Sequence, residues 1–359
     1  MILRRFAAVL AVLLAWPAGR VLAADEIATL LDDGHYRRAQ ALIDARAATQ
    51  PDDATTLYLR ARMLLIAGDA AAALPLAERA ATLAPRNADH RYLVAQCVGT
   101  QAQRAGALKG LGLAKRFKRE AEAARMLDPR SGETYEGLIE FYSAAPGIAG
   151  GNDKRAVALA ETLVVIDPAR GRLAQARLFF RDKKDERGEA ALRQAVAADP
   201  GSYRARMTLA RYLADDARKK WDEAEEHLKA ALAIEPGRVG AHASLAGLYT
   251  HLQRWEDLDR VLAASEAALP ANLMPHYQAA RTMLGDEREY ARAESLLRKY
   301  LTQEPEITAP TRAHAHWRLG LVMEKLGRRP EALAEVQTAL RLKPDLDDAK
   351  KDLKRLKKG

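Results

Sequence analysis

The feature that most constrains this chain is a proline that recurs at nearly constant spacing. Nine prolines, each after a short apolar or alanine-rich run, follow one another at gaps of 32 to 44 residues, most of them close to 34: Pro51, Pro85, Pro129, Pro168, Pro200, Pro236, Pro270, Pro305 and Pro344. Proline cannot continue a helix and biases the residue before it away from helical angles. Self-similarity at such a period predicts an array of small supersecondary units rather than one globular core.

The sequence segment before each of these prolines predicts a helix. In the run EALAEVQTALRLKP, small and apolar residues fall three, four and seven apart, which places them on one helix face. Alanine, the best helix former, supplies 74 of the 359 residues. A second amphipathic stretch precedes each of these helices. The last unit shows the pair most clearly, with Leu319, Gly320 and Met323 on the first helix, Gly327 at the turn, and Ala332, Val336 and Ala339 on the second.

At these positions the chain resembles the tetratricopeptide repeat (TPR) family, whose 34-residue pattern has small residues, a turn glycine and a final proline at fixed places. The matches are Ala61, Gly68, Ala73, Ala80 and Pro85 in the second unit and Gly320, Gly327, Ala332, Ala339 and Pro344 in the last. The resemblance covers about residues 25–344 in nine units, the first truncated. It implies an all-α, right-handed α-solenoid (superhelix) of about nine stacked hairpins, whose first helices line a concave groove, and a basic capping helix over residues 345–359.

The first 24 residues read as a secretory signal peptide. Two arginines precede an apolar run of 11 residues, and small residues then allow cleavage after Ala23 or Ala24. Spanning a bilayer takes roughly 20 residues, so an uncleaved anchor is the weaker alternative. Later apolar runs are cut by charges, which predicts no transmembrane segment in the mature chain. We therefore expect an exported, periplasmic protein.

The third and fourth units, residues 88–170, depart from the period. The third carries a basic patch, for which the candidate residues are Lys109, Lys115, Arg116, Lys118 and Arg119. The patch is either a solvated helix face or a surface for an anionic partner, and the first reading is favoured because runs of charge are usually solvated. The fourth contains the loop Ala145 to Gly151, with a structural or an interaction role.

The sequence contains no recognisable set of catalytic residues. The zinc-protease and nucleophile-elbow motifs are missing, and His90 with Cys97 does not complete a metal site. The single cysteine, Cys97, reads as a small buried hydrophobe. The chain is therefore predicted to have no enzymatic activity, no catalytic residue, no metal and no cofactor.

The resemblance also indicates which first-helix positions face the groove. The candidate residues for protein binding at these positions are Tyr58, Arg62, Tyr92, Gln96, Arg211, Tyr277, Arg281 and Trp317. Aromatic and arginine side chains are common in binding hot spots.

These observations predict a scaffold or adaptor that binds a protein or peptide partner in the bacterial cell envelope. The alternative is binding of an envelope polyanion or a membrane surface through the patch at 104–125 and the C-terminal helix. With a net charge of +9 and bases interleaved with acids, nucleic acid is not an expected partner.

Overall fold

The computed structural model describes residues 24–358; the predicted signal peptide therefore lies, except for Ala24, outside the described residues. This part of the chain contains nineteen α-helices and no strand. The helices are α1 (Ala24–Asp33), α2 (Tyr36–Thr49), α3 (Ala54–Ile66), α4 (Ala70–Leu83), α5 (Ala88–Arg104), α6 (Ala107–Leu127), α7 (Gly132–Ala144), α8 (Asp153–Ile166), α9 (Pro168–Arg181), α10 (Asp185–Ala198), α11 (Tyr203–Leu213), α12 (Trp221–Ile234), α13 (Val239–His251), α14 (Trp255–Ala268), α15 (Met274–Gly285), α16 (Tyr290–Leu301), α17 (Arg312–Lys325), α18 (Arg329–Leu342) and α19 (Asp347–Lys358).

The helices form nine consecutive hairpins and a final single helix, which confirms the predicted solenoid and its cap. Each helix packs mainly on its neighbours in sequence, and first helices of adjacent hairpins also meet, as α13 meets α15. The buried residues of α18 are Ala332, Val336 and Ala339, as the repeat pattern predicts. Gly320 of α17 lies so close to α18 that an added Cβ would be 2.6 Å from a methyl carbon of Val336. Small residues thus set the distance between the two helices of a pair.

Local capping explains where several of the first helices begin. The side chains of Asp53, Asn87 and Asp167 accept hydrogen bonds from backbone N–H groups in the first turns of α3, α5 and α9. These are donors that a helix leaves without an internal partner. Pro168 occupies the first position of α9, where its missing N–H has no cost. One residue therefore separates the end of α8 from the start of the next hairpin.

The third and fourth hairpins differ from the others in length. Helices α5 and α6 have 17 and 21 residues. In the fourth hairpin a loop separates α7 from α8, and the predicted irregular segment there includes one turn of 3-10 helix, Gly147–Ala149. Gly150 has φ +103°, an angle that only glycine adopts without strain.

The first hairpin contacts hairpins more than 200 residues away, in a cluster that we call the closure contact. Arg238, at the start of α13, donates from Nε to the Asp33 carboxylate (3.0 Å) and from its terminal nitrogen to the Asp32 carbonyl (2.8 Å). The buried Glu306 carboxylate, before α17, accepts from the backbone N–H groups of Arg37 (3.0 Å) and Tyr36. The N-terminus of α2 has no cap from its own side chains, so Glu306 caps it from a distance. The solenoid is curved enough to return to its own beginning.

We predict that the double variant Arg238→Ala, Glu306→Ala opens the closure contact. An ion pair with both side chains about three-quarters covered and a helix cap together contribute about 1–3 kcal/mol, so the urea midpoint should fall and the radius of gyration in small-angle X-ray scattering should rise. Arg298→Ala is the control, because it removes an exposed ion pair with Glu294 inside one helix. An unchanged radius of gyration in the double variant would contradict the closure.

Candidate functional site

The first helix of each hairpin lies along the same side of the solenoid, and we call the surface that these helices form the groove. Glu136 of α7 shows that this face is concave. Its carboxylate lies 2.9 Å from a terminal nitrogen of Arg204, on α11, two hairpins further along, and 3.2 Å from one of Arg177 on α9. Side chains two hairpins apart can meet only if the first helices converge on this side.

Two of the predicted groove aromatics are buried between helices. Tyr92 and Tyr277 are buried, at 7% and 3% exposure. The Tyr92 ring packs on α7 at Gly137, where an added Cβ would lie 2.0 Å from the phenol oxygen. Tyr277 accepts a hydrogen bond from Nε of Arg318 (2.7 Å). Neighbouring first helices enclose both rings, so little of either ring is open to a partner, and their role in binding stays a prediction.

The other two aromatic candidates are partly covered. Tyr58 stacks on His90 of the next hairpin, with ring centroids 4.8 Å apart. Trp317 donates from its indole nitrogen to Asp352 of the capping helix (2.8 Å), so α19 occupies the place that a tenth first helix would take. Trp317 thus serves the attachment of the cap, which the repeat pattern alone did not show.

The polar candidates divide into paired and unpaired side chains. Arg62 forms an ion pair with Asp32. Arg211 and Arg281 are exposed, and within residues 24–358 they form no ion pair and no side-chain hydrogen bond. Gln96 is half-buried and lines a pocket in the groove.

That pocket has a volume of about 860 Å³, within the range of small-ligand sites. It opens on the groove between α5, the first turns of α6, the end of α7 and the 3-10 turn. Most of its lining is apolar, and the groove positions Tyr92, Gln96 and Glu140 lie in its wall. The sequence analysis did not find this pocket; the only sequence signal for it is the extra length of the third and fourth units.

Ion pairs neutralise two of the five residues of the predicted basic patch. Arg116 pairs with Glu78 and Glu120, and Arg119 pairs with Glu120. Lys118 lies over the Tyr142 ring, 5.5 Å from its centroid. Lys109 and Lys115 remain exposed, with no ion pair to any described residue. Glu78 belongs to the preceding hairpin, so the sequence of the third unit alone did not show its pairing with Arg116.

The single cysteine is buried, and two histidines of α17 are bonded to neighbouring side chains. Cys97 is fully buried, and burial raises the pKa of its thiol to about 12. His316 lies 2.6 Å from Glu335, and His314 2.8 Å from the Thr311 hydroxyl. Among residues 24–358, no group of three His, Cys, Asp or Glu side chains could hold a metal ion. In the same range no helix combines the length and the apolar character needed to cross a membrane.

Comparison with known proteins now decides the family. The model of a family described as tetratricopeptide repeat matches residues 26–89, 173–238 and 277–347, more than half of the chain. The chain belongs to the TPR family.

Known proteins are similar to this chain over different parts of its length. Cellulose synthase 2 operon protein C of Komagataeibacter xylinus is 30% identical over 326 residues, which cover 87% of this chain and 21% of that protein. The chain thus spans about a fifth of the length of this curated relative. The crystal structure of yeast Tom70 has a TM-score of 0.50 at 14% identity, over 93% of this chain and 80% of that one, and shares the fold. Pseudomonas aeruginosa PilF has a TM-score of 0.42 at 18% identity, over 64% and 100% of the two chains.

We predict that the Cys97 thiol of the folded TPR chain is almost inert. With a pKa of about 12, only about one ten-thousandth of the thiol is ionised at pH 8, and the thiolate is the reactive form. Labelling with dithionitrobenzoate should proceed only after unfolding in guanidinium chloride, which serves as the internal control. Labelling of the native protein at the rate of free cysteine would contradict the burial of this residue.

Proposed function

We propose that the chain is a non-catalytic scaffold of the bacterial cell envelope that binds polypeptide segments of partner proteins in its groove. The observation that carries the proposal is the concave face itself, on which Arg211 and Arg281 stand exposed and without partners among the described residues. Guanidinium groups bind carboxylates through two parallel hydrogen bonds. An extended or helical segment lying in the groove would meet both groups along its length.

The groove also differs in charge from one end to the other. In the third and fourth hairpins its exposed charged residues are acidic, namely Asp89, Glu133 and Glu140. In the sixth and eighth they are Arg211 and Arg281. A segment with complementary charges would bind in one direction only, since electrostatic complementarity fixes register and excludes wrong partners. This arrangement supports a specific partner rather than general adsorption.

The envelope location rests on the predicted signal peptide, Met1–Ala24, and remains part of the proposal. The curated relative is named for a cellulose synthase operon. Proteins encoded beside this chain are therefore the first partners to test.

Binding of a polyanion or a membrane surface is the second candidate, and the structure gives it less support. Arg116 and Arg119 form ion pairs with glutamates. In the capping helix, Lys350, Lys351 and Arg355 form ion pairs with Asp or Glu residues. The exposed bases that remain belong to separate surfaces at the third hairpin and the cap, so they present a weaker combined field than their number suggests.

We predict that the double variant Arg211→Glu, Arg281→Glu captures at least about tenfold less partner from an envelope extract, because two directed charge contacts become repulsive. The measurement is quantitative mass spectrometry of co-purified proteins. The matched control is Arg86→Glu, Arg130→Glu, which makes the same change of charge at exposed arginines in turns outside the groove. Equal capture by both double variants would contradict binding in the groove.

A further inference from the structure

The pocket in the groove owes its shape to the unusual length of two hairpins. Helices α5 and α6 extend past the end of α7, and the loop after α7 folds back against α6. The lining includes Leu111, Phe117 and Phe141. At Gly99 an added Cβ would lie 2.9 Å from the Phe117 ring, so this glycine lets the ring lie against α5.

Two large apolar side chains stand in solvent at the mouth of the pocket. Leu108, in the first turn of α6, is 91% exposed, and Ile148, in the 3-10 turn, is 76% exposed. Both belong to the pocket lining. Apolar side chains that flank an apolar recess form a contiguous patch, and such patches mark interaction sites.

The one charged side chain in the lining of this pocket is a carboxylate. Glu140 lies in the pocket wall, is exposed, and has neither an ion pair nor a hydrogen bond to its side chain from the described residues. Glu133, on the same helix, and Asp89, at the start of α5, are also exposed and form no ion pair with a described residue, but they lie outside the lining. Burial raises the pKa of the Tyr92 phenol, and Glu133, Glu136 and Glu140 raise it further, as expected if their negative field reaches the pocket wall. Lys109 and Lys115 are not among the lining residues.

We propose that this pocket is the anchor subsite of the groove, and that it takes a large apolar side chain from a partner segment that carries lysine or arginine beside it. The inference rests on the proposed function and adds the chemistry of the partner. The recess accommodates the apolar group, Leu108 and Ile148 close over it, and Glu140 pairs with the neighbouring base. A polypeptide fits better than a lipid, because an anionic headgroup would meet the Glu140 carboxylate in the pocket wall.

The probe is a phage-displayed library of random dodecapeptides, selected on the full chain, with affinities then measured by fluorescence anisotropy of the selected peptides. Two variants change the pocket. Ala144→Trp fills it from an exposed lining position, and Glu140→Lys reverses the charge at its mouth. Their matched controls are Val165→Trp and Glu186→Lys, at exposed positions on second helices. Circular dichroism melting curves establish that all four variants are folded.

The expected result is enrichment of peptides with a large apolar residue next to lysine or arginine. Their affinity should fall at least tenfold in Ala144→Trp and in Glu140→Lys, and stay within twofold in the two controls.

Three results would overturn the proposal. Selected peptides that bind the pocket variants normally but lose affinity to Arg211→Glu, Arg281→Glu would dismiss the anchor and leave groove binding intact. Enrichment of acidic flanking residues would contradict the assigned chemistry. A phospholipid retained by the wild-type chain and lost from Ala144→Trp in native mass spectrometry would assign the pocket to a lipid instead.

Discussion

The whole structure depends on a packing constraint: a helical hairpin of about 34 residues has too little interior to bury its apolar stripe by itself. The stripe is covered only when the next hairpin packs on it, so the core is continuous along the stack. Alanine and glycine at the contacts bring paired helices close together, as at Gly320 and Val336. Because each hairpin turns slightly on the last, the same packing that stabilises the chain also bends it and creates the groove.

The curvature of the solenoid produces two kinds of contact, one within the groove and one between distant hairpins. On the inner side it brings Glu136 within reach of arginines from the two following hairpins. Over the length of the chain it returns the first hairpin to Arg238 and Glu306. The closure contact ties distant repeats together, so the stack should resist opening more than nearest-neighbour packing alone would allow. A groove held at fixed curvature needs less ordering when a partner binds, and this favours affinity.

Much of the fold could be predicted from the sequence, because repeat packing is local. The period and the small-residue positions predict nine hairpins, and the buried faces follow from the spacing within each helix. The candidate site could be predicted only in part. Arg211 and Arg281 lie on the predicted first helices and are exposed, whereas the burial of Tyr92 and Tyr277 depends on how closely adjacent first helices approach.

The features that the sequence analysis missed all join residues distant in the chain. Glu78 neutralises Arg116 from 38 residues away, and Glu306 caps a helix 269 residues earlier. The pocket forms because the long third hairpin and the loop of the fourth meet in space. No local pattern in a single sequence encodes such contacts, since each depends on the accumulated rotation of the stack.

Site-specific photo-crosslinking in living cells tests the central claim most directly. A benzoylphenylalanine introduced at Gln103 or at Thr208, in the stripes that face the groove, should form adducts with a partner protein. The same group at Leu342, which is 54% exposed on the second helix α18, should form none. Adducts at Leu342 and none at either groove position would show that the partner binds the outer face and would contradict this account.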